Sequence, residues 1–335
     1  LYEGEKQVAH RIGVIGGDGI GPEIVGQAVK VMRAAGVDFE EVTFDLGADR
    51  YVRDGHVLDD ADMAAIRGCD AILKGPLGPP IGDTRIPGGT IERGIILALR
   101  FSLDQYINLR PFNGNGLDFV VIRENTEGSY AGEGGFLRKG TLDEIATQGS
   151  VNTRKGVERA IRYAFELAMT RPRRHLTLVH KTNVLTFAGD LWQRTFDLVK
   201  AEYPDVTTAY NHIDASCIYL VEDPQRYDVI VTDNLFGDIL TDLAGAVSGG
   251  VGFAGTGNLN PDRVAPSMFE PVHGSAHDIV GTDKVNASSQ ILAAAMLLEF
   301  LGEAEAGARI RKALDDVLSS SPTPNTIGDL VAGRV

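Results

Sequence analysis

Asp238 and Asp242 stand four residues apart in VTDNLFGDILTD, residues 231–242, where the spacing of apolar residues predicts a helix. At about 1.5 Å rise per residue the two carboxylates share one face, roughly 6 Å apart along the axis, within reach of one hard divalent cation. Taken alone, a spaced pair of acids reads as a solvated helix face. Other residues suit the same chemistry. Asp214 in NHIDAS is a third candidate ligand, and His212 beside it reads as a packed or hydrogen-bonded histidine. Arg100, Arg110 and Arg123 fall at the ends of a predicted helix and two predicted strands, where α/β folds place their sites. Guanidinium forks grip carboxylates in bidentate fashion, which suits a small di- or tricarboxylate. Tyr130 in RENTEGSY and Lys181 in HKTN, just past the predicted strand LTLVH, are proton-transfer candidates. A lysine crowded by cationic charge gives up its proton nearer neutrality. His273 and His277 in HGSAH have a zinc-like spacing, but no Glu follows the first and a glycine interrupts the segment, which argues against zinc.

Something must hold these groups in place. At 335 residues the chain exceeds one typical core, so two domains or one large α/β unit are expected. A net charge of -14 argues against nucleic acid or an anionic membrane as partner, because both require a basic face. Cys69 and Cys217 are far apart with no CxxC pair, consistent with a reducing cytoplasm and no disulfide framework. The longest apolar run, ILAAAMLL at 291–298, is too short to span a bilayer, and no secretory signal is seen, so a cytoplasmic protein is expected. The residues before Ile12 read as an appendage.

IGVIGGDG at 12–19 reads as a strand running into glycines, and Pro22 then opens a helix. The alternation recurs in AILKG, the helix around 91–101, YINLR, FVVIRE, the helix from about 152 to 169, LTLVH and DVIVT. It predicts an α/β sandwich with a largely parallel sheet. GNGLD at 114–118 and GEGGFLRKG at 132–140 read as loops or hairpin turns, and Asn286 to about Leu318 as two amphipathic helices. In GGDGIGPE, Pro22 takes the place of the last glycine of GxGxxG, and the one literal match, GVGFAG at 250–255, follows a helix instead of a strand. A standard Rossmann unit is therefore not expected, though a nucleotide phosphate can still bind glycine turns at helix starts.

Six ordered segments carry a resemblance: GDGIGPEI at 17–24, LRFSLDQYINLRP at 99–111, RENTEGSYAG at 123–132, HKTNVL at 180–185, NLFGDILTDLA at 234–244 and EPVHGSAHDIVG at 270–281. Together they resemble the β-decarboxylating dehydrogenases of the isopropylmalate and isocitrate dehydrogenase family, from about Ile12 to the C-terminal helices. The resemblance implies a non-Rossmann fold of two α/β domains with a discontinuous first domain. Residues 1–105 and 249–335 would bind cofactor, and 106–248 would carry substrate, metal and a dimerisation arm.

By the same resemblance Asp238 and Asp242 would bind Mg²⁺ or Mn²⁺ with Asp214 of a partner chain in a homodimer with shared active sites. Arg100, Arg110 and Arg123 would hold the carboxylates of a malate-type substrate, Lys181 of the partner chain would be the base at the C2 hydroxyl, and Tyr130 would protonate C3. Asn183 would lie near the nicotinamide, and Glu270, His273, Gly274, Ser275, Ala276, Asp278 and Asn286 would belong to the NAD site. The implied reaction is hydride loss from C2, departure of CO₂ from C3 and reprotonation, with the cation polarising the C2 oxygen.

Asp278 favours NAD, since a carboxylate near the ribose accepts from the 2′-hydroxyl and repels a 2′-phosphate. Ile95, Ile96 and Leu97 present an apolar surface that suits a branched alkyl group, which makes 3-isopropylmalate, a leucine-pathway intermediate, the expected substrate. Homoisocitrate, tartrate, D-malate or another 3-substituted malate stay open as alternatives. A non-catalytic regulatory subunit could shed the lysine, tyrosine or aspartates, and all are present. Against the family pattern, His277 and Ala287 replace prolines, so the adenine loop is expected to be looser. FNGNG after Arg110 is shorter than expected, and SSSPTPNT lacks a glycine-rich ending.

Overall fold

The computed structural model describes residues 9–250 and 254–335. Most of the expected appendage and half of GVGFAG lie outside them. In chain order the strands are β1 (His10–Ile15), β2 (Phe39–Phe44), β3 (Ala71–Lys74), β4 (Ile107–Gly114), β5 (Leu117–Glu124), β6 (Gly134–Leu137), β7 (Ile145–Gln148), β8 (His175–His180), β9 (Thr207–His212), β10 (Val229–Thr232), β11 (Gly255–Leu259) and β12 (Ser267–Pro271). The α-helices are α1 (Gly21–Ala34), α2 (Ala48–Asp54), α3 (Asp60–Arg67), α4 (Ala98–Ser102), α5 (Arg154–Thr170), α6 (Thr186–Lys200), α7 (Ile213–Glu222), α8 (Asn234–Val247), α9 (Ser288–Leu301), α10 (Ala304–Leu318) and α11 (Ile327–Ala332). A π-helical stretch, Glu92–Leu97, runs directly into α4.

Two compact units divide the chain, Leu1–Leu103 with Gly252–Val335 and Asp104–Val251. In the first, the strand order is β2-β1-β3-β12-β11, parallel except for the antiparallel β11–β12 pair. That order differs from the 3-2-1-4-5-6 order of a Rossmann unit. Pro22 sits in the first turn of α1, where its missing N–H costs nothing. α3 starts on a capping box made by Asp59 and Asp62. α10 is amphipathic as expected, with Ile310, Leu314 and Val317 buried. α9 is not: it is buried on almost every side, because α1, α10, β11 and β12 all pack on it.

In the second unit the order is β4-β5-β10-β8-β9, with β4–β5 antiparallel and the other pairs parallel. β5 is a buried run after its first two residues, as expected of a strand covered on both faces. β4 extends further than expected, so Arg110 lies inside the strand instead of ending it: the hairpin with β5 pairs Arg110 with Val121 and continues to Gly114–Leu117. Its turn is Asn115–Gly116, both at positive φ (51° and 76°), the two-residue turn that matches strand twist. FNGNG thus forms the end of β4 and that turn. The Gly-rich segment after residue 132 also contains a strand where only a loop or turn was expected, for β6 pairs with β7 in an antiparallel ribbon that exposes Phe136 and Leu137. Among the described residues no helix is long and apolar enough to cross a membrane, and Cys69 and Cys217 are free thiols.

Candidate active site

Helix α8 organises the site of the second unit. The Asp233 side chain caps it, accepting from the Phe236 amide at 2.8 Å, and the helix then presents Asp238 and Asp242 one turn apart. Asp238 Oδ1 accepts from Arg123 Nη1 at 2.5 Å, and its Oδ2 accepts from the Tyr130 hydroxyl at 2.8 Å. The Arg123 guanidinium also lies 5.3 Å from the Tyr130 ring centroid. Gly237 makes this approach feasible, because a Cβ there would come within 2.5 Å of Arg123 Cγ. Arg110 reaches the same helix: Nη1 donates to Thr241 Oγ1 at 2.5 Å, and its guanidinium lies 3.9 Å from Asp238 and 4.0 Å from Asp242. Arg110, Arg123, Tyr130, Asp238 and Asp242 are thus brought together.

Lys181 and Asp214 form a second cluster. Lys181 Nζ is 2.7 Å from Asp214 Oδ1, and this bond holds the Asp214 carboxyl below its ordinary range. Lys181 opens a turn that closes through its own carbonyl on Val184 and Leu185 and leaves Asn183 exposed. Among the described residues no three His, Cys, Asp or Glu gather in one chain to hold a metal. Asp238 and Asp242 are all-oxygen donors with side chains 40% and 72% exposed, so the pair fits Mg²⁺ or Mn²⁺ if a third donor comes from another chain.

In the first unit Arg100 is buried and donates from Nη2 to Glu270 Oε1 at 3.3 Å. Lys74, 1% exposed, sits 2.6 Å from Glu270 Oε2, and Asn258 donates to Oε1 at 2.6 Å. Burial opposes the Glu270 charge, yet Lys74 and Arg100 hold its pKa down to about 2. Its carboxylate is thus engaged by protein cations. Ile95 departs from expectation. Packed against Ile72, Leu99 and Met268 in the core, it is fully buried and leaves only Ile96 and Leu97 partly open.

Gly274 and Asp278 are exposed. Two side chains of this loop tie it to a neighbouring carbonyl. Ser275 Oγ and the His277 ring bond the Gly78 carbonyl at 3.0 and 2.9 Å, so His277 ties the loop by a side chain that proline lacks. The carbonyl of Ser275 accepts from the Ile20 amide, and a Cβ on Gly19 would come within 1.9 Å of that oxygen. His273 bonds the Gly274 carbonyl, burial lowers its pKa, and Ala276 takes a left-handed φ of 40°. Asn286 Oδ1 accepts from the Ser288 amide at the start of α9.

Several participants were missed in the sequence. Asp18 accepts from the amides of Ala48, Asp49 and Gly78. Glu124, buried at the end of β5, accepts from Thr126 and Glu127, and burial pushes its pKa up to about 7 against those bonds. Asn234 grips Arg123, and its position one turn before Asp238 was a readable signal.

An acid pair beside anion-gripping guanidiniums and a phenol suits metal-assisted chemistry on a small carboxylic acid. The chain belongs to the isocitrate/isopropylmalate dehydrogenase family, whose model matches residues 11–333. It is 54% identical to the 3-isopropylmalate dehydrogenase of Corynebacterium efficiens over 341 residues, covering 97% of this chain and 99% of that one. The enzyme of the same name from Clavibacter sepedonicus is also 54% identical, over 93% of this chain and 92% of its own length. Among solved structures, isocitrate dehydrogenase from Methylococcus capsulatus superposes with a TM-score of 0.88 at 36% identity, over 97% of this chain and 99% of that one. The protein is accordingly an oxidoreductase acting on a small-molecule substrate.

Proposed function

We propose that this enzyme uses NAD and a divalent cation to oxidise and decarboxylate 3-isopropylmalate to 4-methyl-2-oxopentanoate. The observation that carries the reading is Asp238, shared at hydrogen-bond distance by Arg123 and Tyr130 with Asp242 one turn on: carboxylate donors for a cation, a grip for a substrate carboxylate and a phenolic proton on one helix face. The names of relatives 54% identical support the choice of substrate.

Asp238 and Asp242 would hold Mg²⁺ or Mn²⁺, with Asp214 of a second chain as third ligand. The bound cation would supply Lewis-acid polarisation of the substrate oxygen and charge stabilisation as CO₂ leaves. Arg110 and Arg123 bind and orient the carboxylates, and Arg100 takes the same role. Lys181 removes the C2 hydroxyl proton, and Tyr130 returns a proton to C3. Bound at the loop carrying His273, Gly274, Ser275, Ala276 and Asp278, with Asn183 at the nicotinamide, NAD would supply the hydride acceptor. Asp278 favours NAD over NADP by repelling a 2′-phosphate. Ile96 and Leu97 give the isopropyl group an apolar wall.

A homodimer completes the site. Lys181 and Asp214, both assigned to a partner's centre, sit together on one chain. Ile218 and Val221 of α7 and Leu235 and Ile239 of α8 are large exposed apolar residues that a second copy would cover.

An NADH absorbance assay over a panel of 3-substituted malates, D-malate, tartrate and homoisocitrate, with Mg²⁺ or Mn²⁺ and after chelation, tests this reading. Metal-dependent turnover highest on 3-isopropylmalate is expected. No turnover on any member would overturn it, and NADH formation without CO₂ would remove the decarboxylation step.

A further inference from the structure

We infer that Asn234 is a positioning residue that fixes the Arg123 guanidinium for the substrate carboxylate while adding no charge of its own; this rests on the carboxylate-binding role proposed above for Arg123. Asn234 is the first residue of α8 and is buried. Residues 234, 238 and 242 recur at intervals of four, so Asn234 heads the stripe that carries both aspartates. Its Oδ1 accepts two N–H groups of Arg123, Nε at 3.0 Å and Nη2 at 2.7 Å. Its Nδ2 donates to the Glu127 carbonyl at 3.0 Å. One side chain therefore joins α8, the end of β5 and the loop after it, and that loop is held from its other side by the Glu124 carboxylate.

The residue type matters. Arg123 is 1% exposed, and a buried guanidinium needs acceptors for its N–H groups. A carboxylate at 234 would accept both N–H groups but would add a second anion to a guanidinium already paired with Asp238, and it would face the Glu127 carbonyl with no donor. An alanine would remove the acceptor for both N–H groups and the donor to that carbonyl. A neutral amide satisfies all three and adds no negative charge where an anionic substrate is to bind. It also leaves Arg123 Nη1 directed to Asp238.

The test uses Asn234→Asp and Asn234→Ala in the full chain, with steady-state kinetics for 3-isopropylmalate and for NAD and with thermal unfolding followed by circular dichroism. Failure of the functional reading shows separately, as absent turnover in the unaltered enzyme. Given that turnover, N234D is expected to raise KM for 3-isopropylmalate about tenfold or more, with kcat within about threefold and KM for NAD unchanged. N234A is expected to raise the same KM. N234D retains the side-chain size, so it decides the matter if N234A does not fold. An unaltered malate KM in N234D would overturn the inference, and so would parallel losses for both substrates, the signature of a merely structural role.

Discussion

Tyr130 donates its hydroxyl to Asp238 at 2.8 Å, so the phenol proposed to deliver a proton is anchored on a proposed metal ligand. Tyr130→Phe keeps the ring against Arg123 and removes the hydroxyl, with its proton and its bond to Asp238. Turnover is expected to fall by about a hundredfold or more, with KM for the malate little changed. Retention of kcat within a few-fold, in the NADH assay, would take Tyr130 out of proton transfer.

The 2.7 Å pairing of Lys181 with Asp214 suggests a test of shared sites. Lys181→Met and Asp238→Asn are each expected to be inactive alone. In a mixed dimer one site would combine an unaltered Lys181 with an unaltered Asp238, so co-expression of equal amounts should restore about a quarter of normal activity. If each chain carried a whole site, mixing would restore nothing.

His180 is fully buried, stacked on Trp192 with a centroid distance of 5.6 Å and edge-on to Phe236. Burial lowers its pKa to about 4 from an ordinary 6.5. The folded state therefore binds fewer protons than the unfolded state in that window. The stabilisation is complete above pH 6.5 and is lost as pH falls towards 4, by up to about 3 kcal/mol. Asp233 and Glu124 act oppositely, since burial raises their pKa values to about 6 and about 7, and their protonated forms favour the fold at low pH. His180→Phe removes the histidine's share of the acid response, although its ring nitrogen lies 3.7 Å from Asp233. In urea titrations its stability should decline less than that of the unaltered protein between pH 6.5 and 4, and identical slopes would remove His180 from the acid response.

Lys74 and Glu270 form a buried ion pair that neither partner leaves cheaply. Lys74→Met leaves the buried carboxylate to Arg100 and Asn258, and a loss of about 3 to 5 kcal/mol is expected in urea unfolding. The double change Lys74→Met with Glu270→Gln should cost less than the single one. Additive losses would show that the pair is not coupled.

Local periodicity made much of the architecture legible. Strand and helix patterns in residues 71–75, 119–124 and 152–169 appear in the structure as β3, β5 and α5, because burial on one or both faces writes itself into neighbouring residues. The same holds for Asp238 and Asp242, whose common face follows from helical pitch. The extent of β4 was not legible, since pairing with β5 decides it, nor was the strand in the Gly-rich segment after residue 132, which forms only against Ile145–Gln148.

By itself the sequence determined the residue types for the chemistry, their order, the helix that presents the two aspartates and the family to which the chain belongs. Tertiary structure alone decided who holds whom. Asn234 on Arg123, Lys74 on Glu270 and Ile95 in the core instead of at an apolar surface are long-range outcomes. Residues 111 and 196 positions apart meet in the first two cases, and such contacts leave no periodic trace in the chain because they depend on how whole elements pack.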